Sequence, residues 1–180
     1  LAVFLPETAG WWVIYSGGGM LAGEAWGWPG AVPAPADYDG DGWADLAVYG
    51  PDHSSWYVKQ SGGGYVMGTV MGWRDCVPIP ADYDGDSRAD LAVYWPSGGV
   101  WAVRSSATNL VVMGAWQEGQ NVSGAGIQAI PAVCGAGDVR LAVFSPASGT
   151  LLLESEAPAF DGTFGAVLQT LSDARAAEPR

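Results

Sequence analysis

Ala36-Asp37-Tyr38-Asp39-Gly40-Asp41-Gly42-Trp43-Ala44-Asp45 runs directly into Leu46-Ala47-Val48-Tyr49. The same wording returns as Ala81-Asp82-Tyr83-Asp84-Gly85-Asp86-Ser87-Arg88-Ala89-Asp90, again followed by Leu91-Ala92-Val93-Tyr94. An acidic loop joined to an apolar strand and then duplicated marks a repeat protein. Two fainter copies of the strand flank the pair, Leu1-Ala2-Val3-Phe4 and Leu141-Ala142-Val143-Phe144, so the four openings are spaced by 45, 45 and 50 residues. Two residues after each aromatic stands a proline: Pro6, Pro51, Pro96 and Pro146. Proline cannot donate to a strand ladder, which predicts that every copy of the strand ends at the same point.

A second strand in each repeat is centred on Trp11-Trp12-Val13-Ile14-Tyr15, Trp56-Tyr57-Val58 and Trp101-Ala102-Val103, with Leu151-Leu152-Leu153 in the fourth copy. Glycine runs at Gly17-Gly18-Gly19 and Gly62-Gly63-Gly64 turn the chain into a third strand, such as Tyr65–Val70, which closes on Gly27-Trp28, Gly72-Trp73 or Ala115-Trp116. A short, proline-spaced fourth strand, Val77-Pro78-Ile79-Pro80-Ala81, leads back to the acidic loop. Four short strands in every ~45 residues predict an all-β chain with the blades of a β-propeller. A β-solenoid would use shorter coils, and a helical repeat would be broken by the glycines and prolines.

In register, the blades run over about 1–28, 31–74, 76–117 and 127–170 of one domain, with a polar tail at 171–180. The first blade lacks the strand that should precede Leu1. Its open edge invites pairing. Two routes stay open: the tail closes a four-bladed ring, or a partner chain or residues ahead of Leu1 supply the strand. A strand supplied by a partner copy would make the chain a homo-oligomer. Because it opens on Leu1 rather than Met, the chain reads as a processed or excised piece of something longer.

The acidic loops carry the one recognisable chemistry. Asp37, Asp39, Asp41 and Asp45 occupy positions 1, 3, 5 and 9 of a tight turn, and the backbone carbonyl of Trp43 falls at position 7. Asp82, Asp84, Asp86 and Asp90, with the Arg88 carbonyl, repeat the arrangement. Calcium takes six to eight oxygen ligands at flexible geometry, which this spacing supplies, whereas magnesium demands a strict octahedron and keeps its waters. Four carboxylates in nine residues repel one another unless a cation sits among them. Two Ca2+ sites are therefore expected. The fourth copy, Ala132 to Asp138, keeps a single carboxylate and is expected to hold no metal.

The run Asp-x-Asp-x-Asp-Gly-x-x-Asp-Leu entering a strand resembles the FG-GAP or VCBS repeats of integrin-like propellers, and Pro-x-Pro-Ala-Asp-Tyr-Asp-Gly-Asp is similar to bacterial secreted members. The resemblance implies a propeller in which this loop joins the innermost strand to the next and binds calcium structurally. It also implies an extracellular or cell-surface location and a role in ligand binding or adhesion, with a glycan or an extracellular protein as partner. Such propellers usually have seven blades, and this chain has fewer than four complete ones.

Composition removes other classes. The formal net charge is −12, with Lys+Arg only 7. Nucleic-acid binding needs clustered cations, so it is excluded, and anionic membrane surfaces are disfavoured for the same reason. No run of eighteen apolar residues spans a membrane. Cys76 and Cys134 are either one disulfide or two buried thiols. His53, the single histidine, lies beside Asp52 and Ser54 on a turn, which is not a triad, because triad members converge from separate elements. Glu154 and Glu156 alternate on a strand as solvated carboxylates, and Ser16-Gly17-Gly18-Gly19 lacks the lysine of a phosphate loop. Asn121-Val122-Ser123 is a glycosylation sequon in an expected surface loop.

Ten tryptophans remain. Those at repeated positions (Trp11 or Trp12, Trp56, Trp101; Trp28, Trp73, Trp116) are expected to pack between blades. Trp26, Trp43 and Trp95 have no repeat-imposed reason to exist and are the ligand candidates. The sequence thus points to a non-enzymatic, calcium-stabilised module that binds a ligand, with a sugar as the leading class. The alternatives are a self-assembling structural module and an accessory domain of a secreted enzyme.

Overall fold

A computed structural model describes residues 1–15, 18–115, 128–134, 138–146 and 150–153. Within these residues every regular element is a strand, and all pairing is antiparallel. Sheet 1 comprises β1 (Ala2–Leu5), β2 (Gly10–Ile14) and β3 (Met20–Ala25). Sheet 2 follows with β4 (Val32–Pro33), β5 (Leu46–Gly50), β6 (Ser55–Gln60) and β7 (Gly64–Val70). Sheet 3 repeats it with β8 (Val77–Pro78), β9 (Leu91–Trp95), β10 (Val100–Arg104) and β11 (Val111–Ala115). Sheet 4 holds β12 (Gln128–Cys134), β13 (Asp138–Ser145) and β14 (Thr150–Leu153). In each sheet, strands adjacent in sequence are adjacent in space. The expected prolines do end the strands: β1, β5, β9 and β13 each stop one residue before theirs.

In sheets 2 and 3 the Leu-Ala-Val-aromatic strand is apolar throughout because both of its faces are covered, as expected of a strand sandwiched in a core. Side chains alternate across the pleat. Leu46 and Val48 therefore face sheet 1, where they join Phe4, Trp11, Trp26, Trp28 and Ala31, while Ala47 and Tyr49 face sheet 3. Leu91 and Val93 pack back onto sheet 2, and Ala92 and Tyr94 forward onto Leu141 and Val143 of sheet 4. Three inter-sheet cores thus use one face pairing. Trp11, Trp56 and Trp101 are buried in them. Trp12, one residue on, points out of sheet 1 and is exposed. A salt bridge between Lys59 and Glu24 adds a polar tie between sheets 1 and 2.

The Gly-Trp pair after the third strand sits where one sheet meets the next. Gly72 has φ +102°, and a Cβ there would stand 3.0 Å from both Val93 Cγ2 and the Tyr49 hydroxyl. A side chain there would force Val93 or Tyr49 to give way. Trp73 packs beside it against Trp95, with ring centroids 6.4 Å apart.

Cys76 is a free, buried thiol, which decides against a bridge to Cys134. Burial pushes that thiol up to about 11. In the fourth copy, where the acidic loop is missing, β12 pairs with β13 along seven residues down to Cys134 opposite Asp138, whereas β4 and β8 pair over two. Trp116, Asn121, Glu154, Glu156 and the 171–180 tail lie outside the described residues.

Gly72→Ala is expected to cost about 2 kcal/mol or more, adding a left-handed penalty to overpacking. A urea titration checks this, and an unchanged midpoint would refute it. At pH 8, Cys76 is expected to react with a thiol reagent far more slowly in the native chain than in denaturant, since the thiolate is the reacting form.

Candidate metal centre

Each acidic loop joins the first strand of a sheet to its second, β4 to β5 and β8 to β9, and is pinched at its base by an isolated bridge, Ala36 opposite Asp45 and Ala81 opposite Asp90. Inside the pinch the carboxylates are organised by backbone amides. Gly40 N–H donates to Asp37 Oδ1 at 2.6 Å and Gly42 N–H to Asp37 Oδ2 at 2.8 Å. Asp41 N–H donates to Asp39, and Trp43 N–H to Asp41. In the second loop, Gly85 and Ser87 N–H groups donate to the two oxygens of Asp82, and Arg88 N–H to Asp86. Ser87, standing where the first loop has Gly42, adopts the same left-handed conformation, with φ +71° against +86°. The serine substitution therefore leaves the wrap intact.

Carboxylate oxygens of Asp37, Asp39 and Asp45 lie within 4.8 Å of one another, and so do those of Asp82, Asp84 and Asp86. Either group could hold a metal ion. Asp41 stands outside the first group and Asp90 outside the second. All donors are hard oxygens, which suit an alkaline-earth cation rather than a soft transition metal. The donor set fits the expected ion.

Asp45 and Asp90 do a further job. Both are almost wholly buried. Asp45 accepts Tyr38 N–H on Oδ2 and Ser61 N–H on Oδ1, each at 2.8 Å. Asp90 accepts Tyr83 N–H at 2.8 Å and Ser106 N–H at 2.7 Å. Each thus staples the loop entrance to the turn beyond the third strand, β6 or β10. Burial raises both carboxyls above the usual range, Asp90 to about 6, against the opposing pull of those amides. A nearby cation favours the ionised form that burial penalises.

The serines of those turns were not among the residues singled out from sequence. Ser61 Oγ donates to Asp41 Oδ2 and Ser106 Oγ to Asp86 Oδ2, each at 2.6 Å. Their 45-residue spacing matches the loops and is the signal that could have revealed them. The two loops also touch: Ala89 N–H donates to the Asp37 carbonyl at 2.6 Å.

Residues 37–93, spanning both acidic loops, match the family described as FG-GAP-like repeat. This stretch of the chain is similar to the FG-GAP-like repeat family. Comparison with curated proteins gave no match, and comparison with solved structures gave none.

The three candidate ligand rings have different surroundings. Trp26 donates its indole N–H to the Tyr57 carbonyl and packs on Tyr65. Trp95 packs on Trp73. Trp43 stands exposed on the first acidic loop, edge-on to Tyr15 at 6.3 Å. Both rings border a cleft of about 960 Å³ between sheet 1 and the loop, which Asp41, Gln60 and Ser61 also line. His53 is exposed on its turn, and Ser55 Oγ donates to its carbonyl, an arrangement that activates no nucleophile.

Asp90→Asn is expected to destabilise the chain by about 2 kcal/mol, in chelator as much as in calcium, because an amide leaves one buried N–H without an acceptor. Denaturant midpoints in both buffers read the loss; a loss seen only with calcium would make Asp90 a metal ligand rather than a staple.

Proposed function

We propose that the chain is a calcium-stabilised β-propeller module of the extracellular space that binds a saccharide and performs no chemistry. The observation that carries this is the Trp43 ring, held exposed on a loop whose carboxylates converge, at the edge of a cleft of ligand-binding size. Ligand clefts of roughly 300–1,000 Å³ combine apolar or aromatic surface with a few placed polar groups. Trp43 and Tyr15 offer flat faces to the apolar side of a pyranose ring, and Asp41, Gln60, Ser61 and the Lys59–Glu24 pair offer hydrogen bonds to its hydroxyls.

Calcium has a structural task in this reading. It gathers Asp37, Asp39 and Asp45 in one loop and Asp82, Asp84 and Asp86 in the next, with the Trp43 and Arg88 carbonyls completing the oxygen sets. The ion thereby fixes the backbone from which the Trp43 ring projects. Solvated loops of this kind suit the millimolar calcium outside cells. Among the described residues no helix is long and apolar enough to cross a membrane. Successive sheets of one face pairing, joined by short connections, support the propeller geometry.

Asp39→Ala combined with Asp84→Ala is expected to lower Tm by several degrees in calcium and hardly at all in chelator, since a cation stabilises only the state that binds it. Calorimetric titration of the metal-stripped chain reads the two sites directly. On a glycan array, Trp43→Ala is expected to abolish a signal that the unaltered chain gives with calcium and loses in chelator. Silence of the unaltered chain on every sugar with calcium present would remove the saccharide reading while leaving the metal reading standing.

A further inference from the structure

Repeat-equivalent positions differ sharply in burial at the two ends of the series of sheets. The valine of the Leu-Ala-Val-aromatic strand is 0% exposed in sheets 2 and 3 (Val48, Val93) and 2% in sheet 4 (Val143), yet 48% in sheet 1 (Val3). Around Val3 the same outward face carries Leu5, Trp12, Ile14 and Met20, all exposed, because Val3 is registered opposite Trp12 and Ile14 opposite Met20. At the other end, the first core position of the second strand is 0% exposed as Trp56 and 5% as Trp101, but 59% as Leu151. Leu151 is registered opposite Phe144, and Leu153, also exposed, opposite Ala142.

These two faces are of different kinds. Inside the chain, the alanine-and-aromatic face of one sheet is always laid on the leucine-and-valine face of the next, at three successive junctions. Sheet 1 offers a leucine-and-valine face that no described residue covers. On sheet 4 the matching alanine-and-aromatic face turns Leu151 and Leu153 to solvent, while Ala142 on the same face is buried. Apolar sheet faces left in water carry an unrealised hydrophobic stabilisation and mark interaction sites. The complement of each face is present on this same polypeptide, already used three times.

We propose that two copies of this chain stack head to tail, sheet 1 of each on sheet 4 of the other. The contact is heterologous, and two reciprocal contacts close it into a dimer of eight sheets. Eight lies at the upper end of the usual four to eight blades of a propeller. Each copy carries a formal charge of −12, so association strengthens with salt and with bound calcium. The inference rests on the sheets and their faces, and is independent of the saccharide reading.

Light scattering of the 180-residue chain in calcium and physiological salt is expected to give twice the chain mass. A single chain mass at every concentration up to about 100 µM, the range of weak association, would overturn the proposal. Val3→Glu and Leu151→Glu should each give a monomer with unchanged circular dichroism. An equimolar mixture of the two should regain a one-to-one dimer, because each retains one intact and complementary face. If Val3→Glu dissociates while Leu151→Glu stays dimeric, the contact joins sheet 1 to sheet 1 and the head-to-tail assignment is wrong. Should either variant unfold, Ile14→Glu and Leu153→Glu put the same charge on the same faces.

Discussion

The central strand of each repeat is greasy on both sides. Leu46-Ala47-Val48-Tyr49 cannot be satisfied by its own sheet, because successive residues point to opposite faces and all of them are apolar. Burying one face against a neighbour leaves the other face needing a neighbour too. The sheets are therefore obliged to follow one another in series, and this obligation shapes the rest of the molecule. It explains why the cores lie between sheets rather than within them, and why glycine suits position 72, where Val93 of the following sheet crowds any Cβ.

The acidic loops are a consequence of the same arrangement. Where β4 hands over to β5 and β8 to β9, the chain must turn outside the core and still hold its strands in register. Backbone amides aimed at Asp37 and Asp82 wrap the turn, and the buried carboxylates of Asp45 and Asp90 fasten it to the turn beyond. That wrap concentrates carboxylate oxygens that could hold a cation. Where the carboxylates are missing, β12 and β13 instead pair along a longer ladder. Acidic loop and extended hairpin are two solutions to one connection.

Much of the architecture was readable because it is periodic. Four strand positions per repeat, their ends at proline and the acidic spacing all depend on residues close together in sequence, where local rules hold. The tryptophans at 56 and 101 were likewise assignable to packing, since a ring recurring every 45 residues meets the same surroundings each time. The choice between Trp11 and Trp12 was not: adjacent residues of a strand face opposite ways, and only the presence of sheet 2 on one side selects Trp11 as the buried ring.

The sequence by itself determined the repeat, the all-β class and the oxygen-rich chemistry of residues 37–45 and 82–90, because each is written in short-range spacing. Tertiary structure alone decided which carboxylates converge and that Asp45 and Asp90 also staple, since the amides they accept from, at Ser61 and Ser106, lie sixteen residues away. It also decided that Cys76 stays a free thiol and that Val3 and Leu151, equivalent by sequence to buried residues, lie open to water. Burial belongs to whatever sits on the opposite side of a face, and a repeat motif specifies the face without specifying its neighbour.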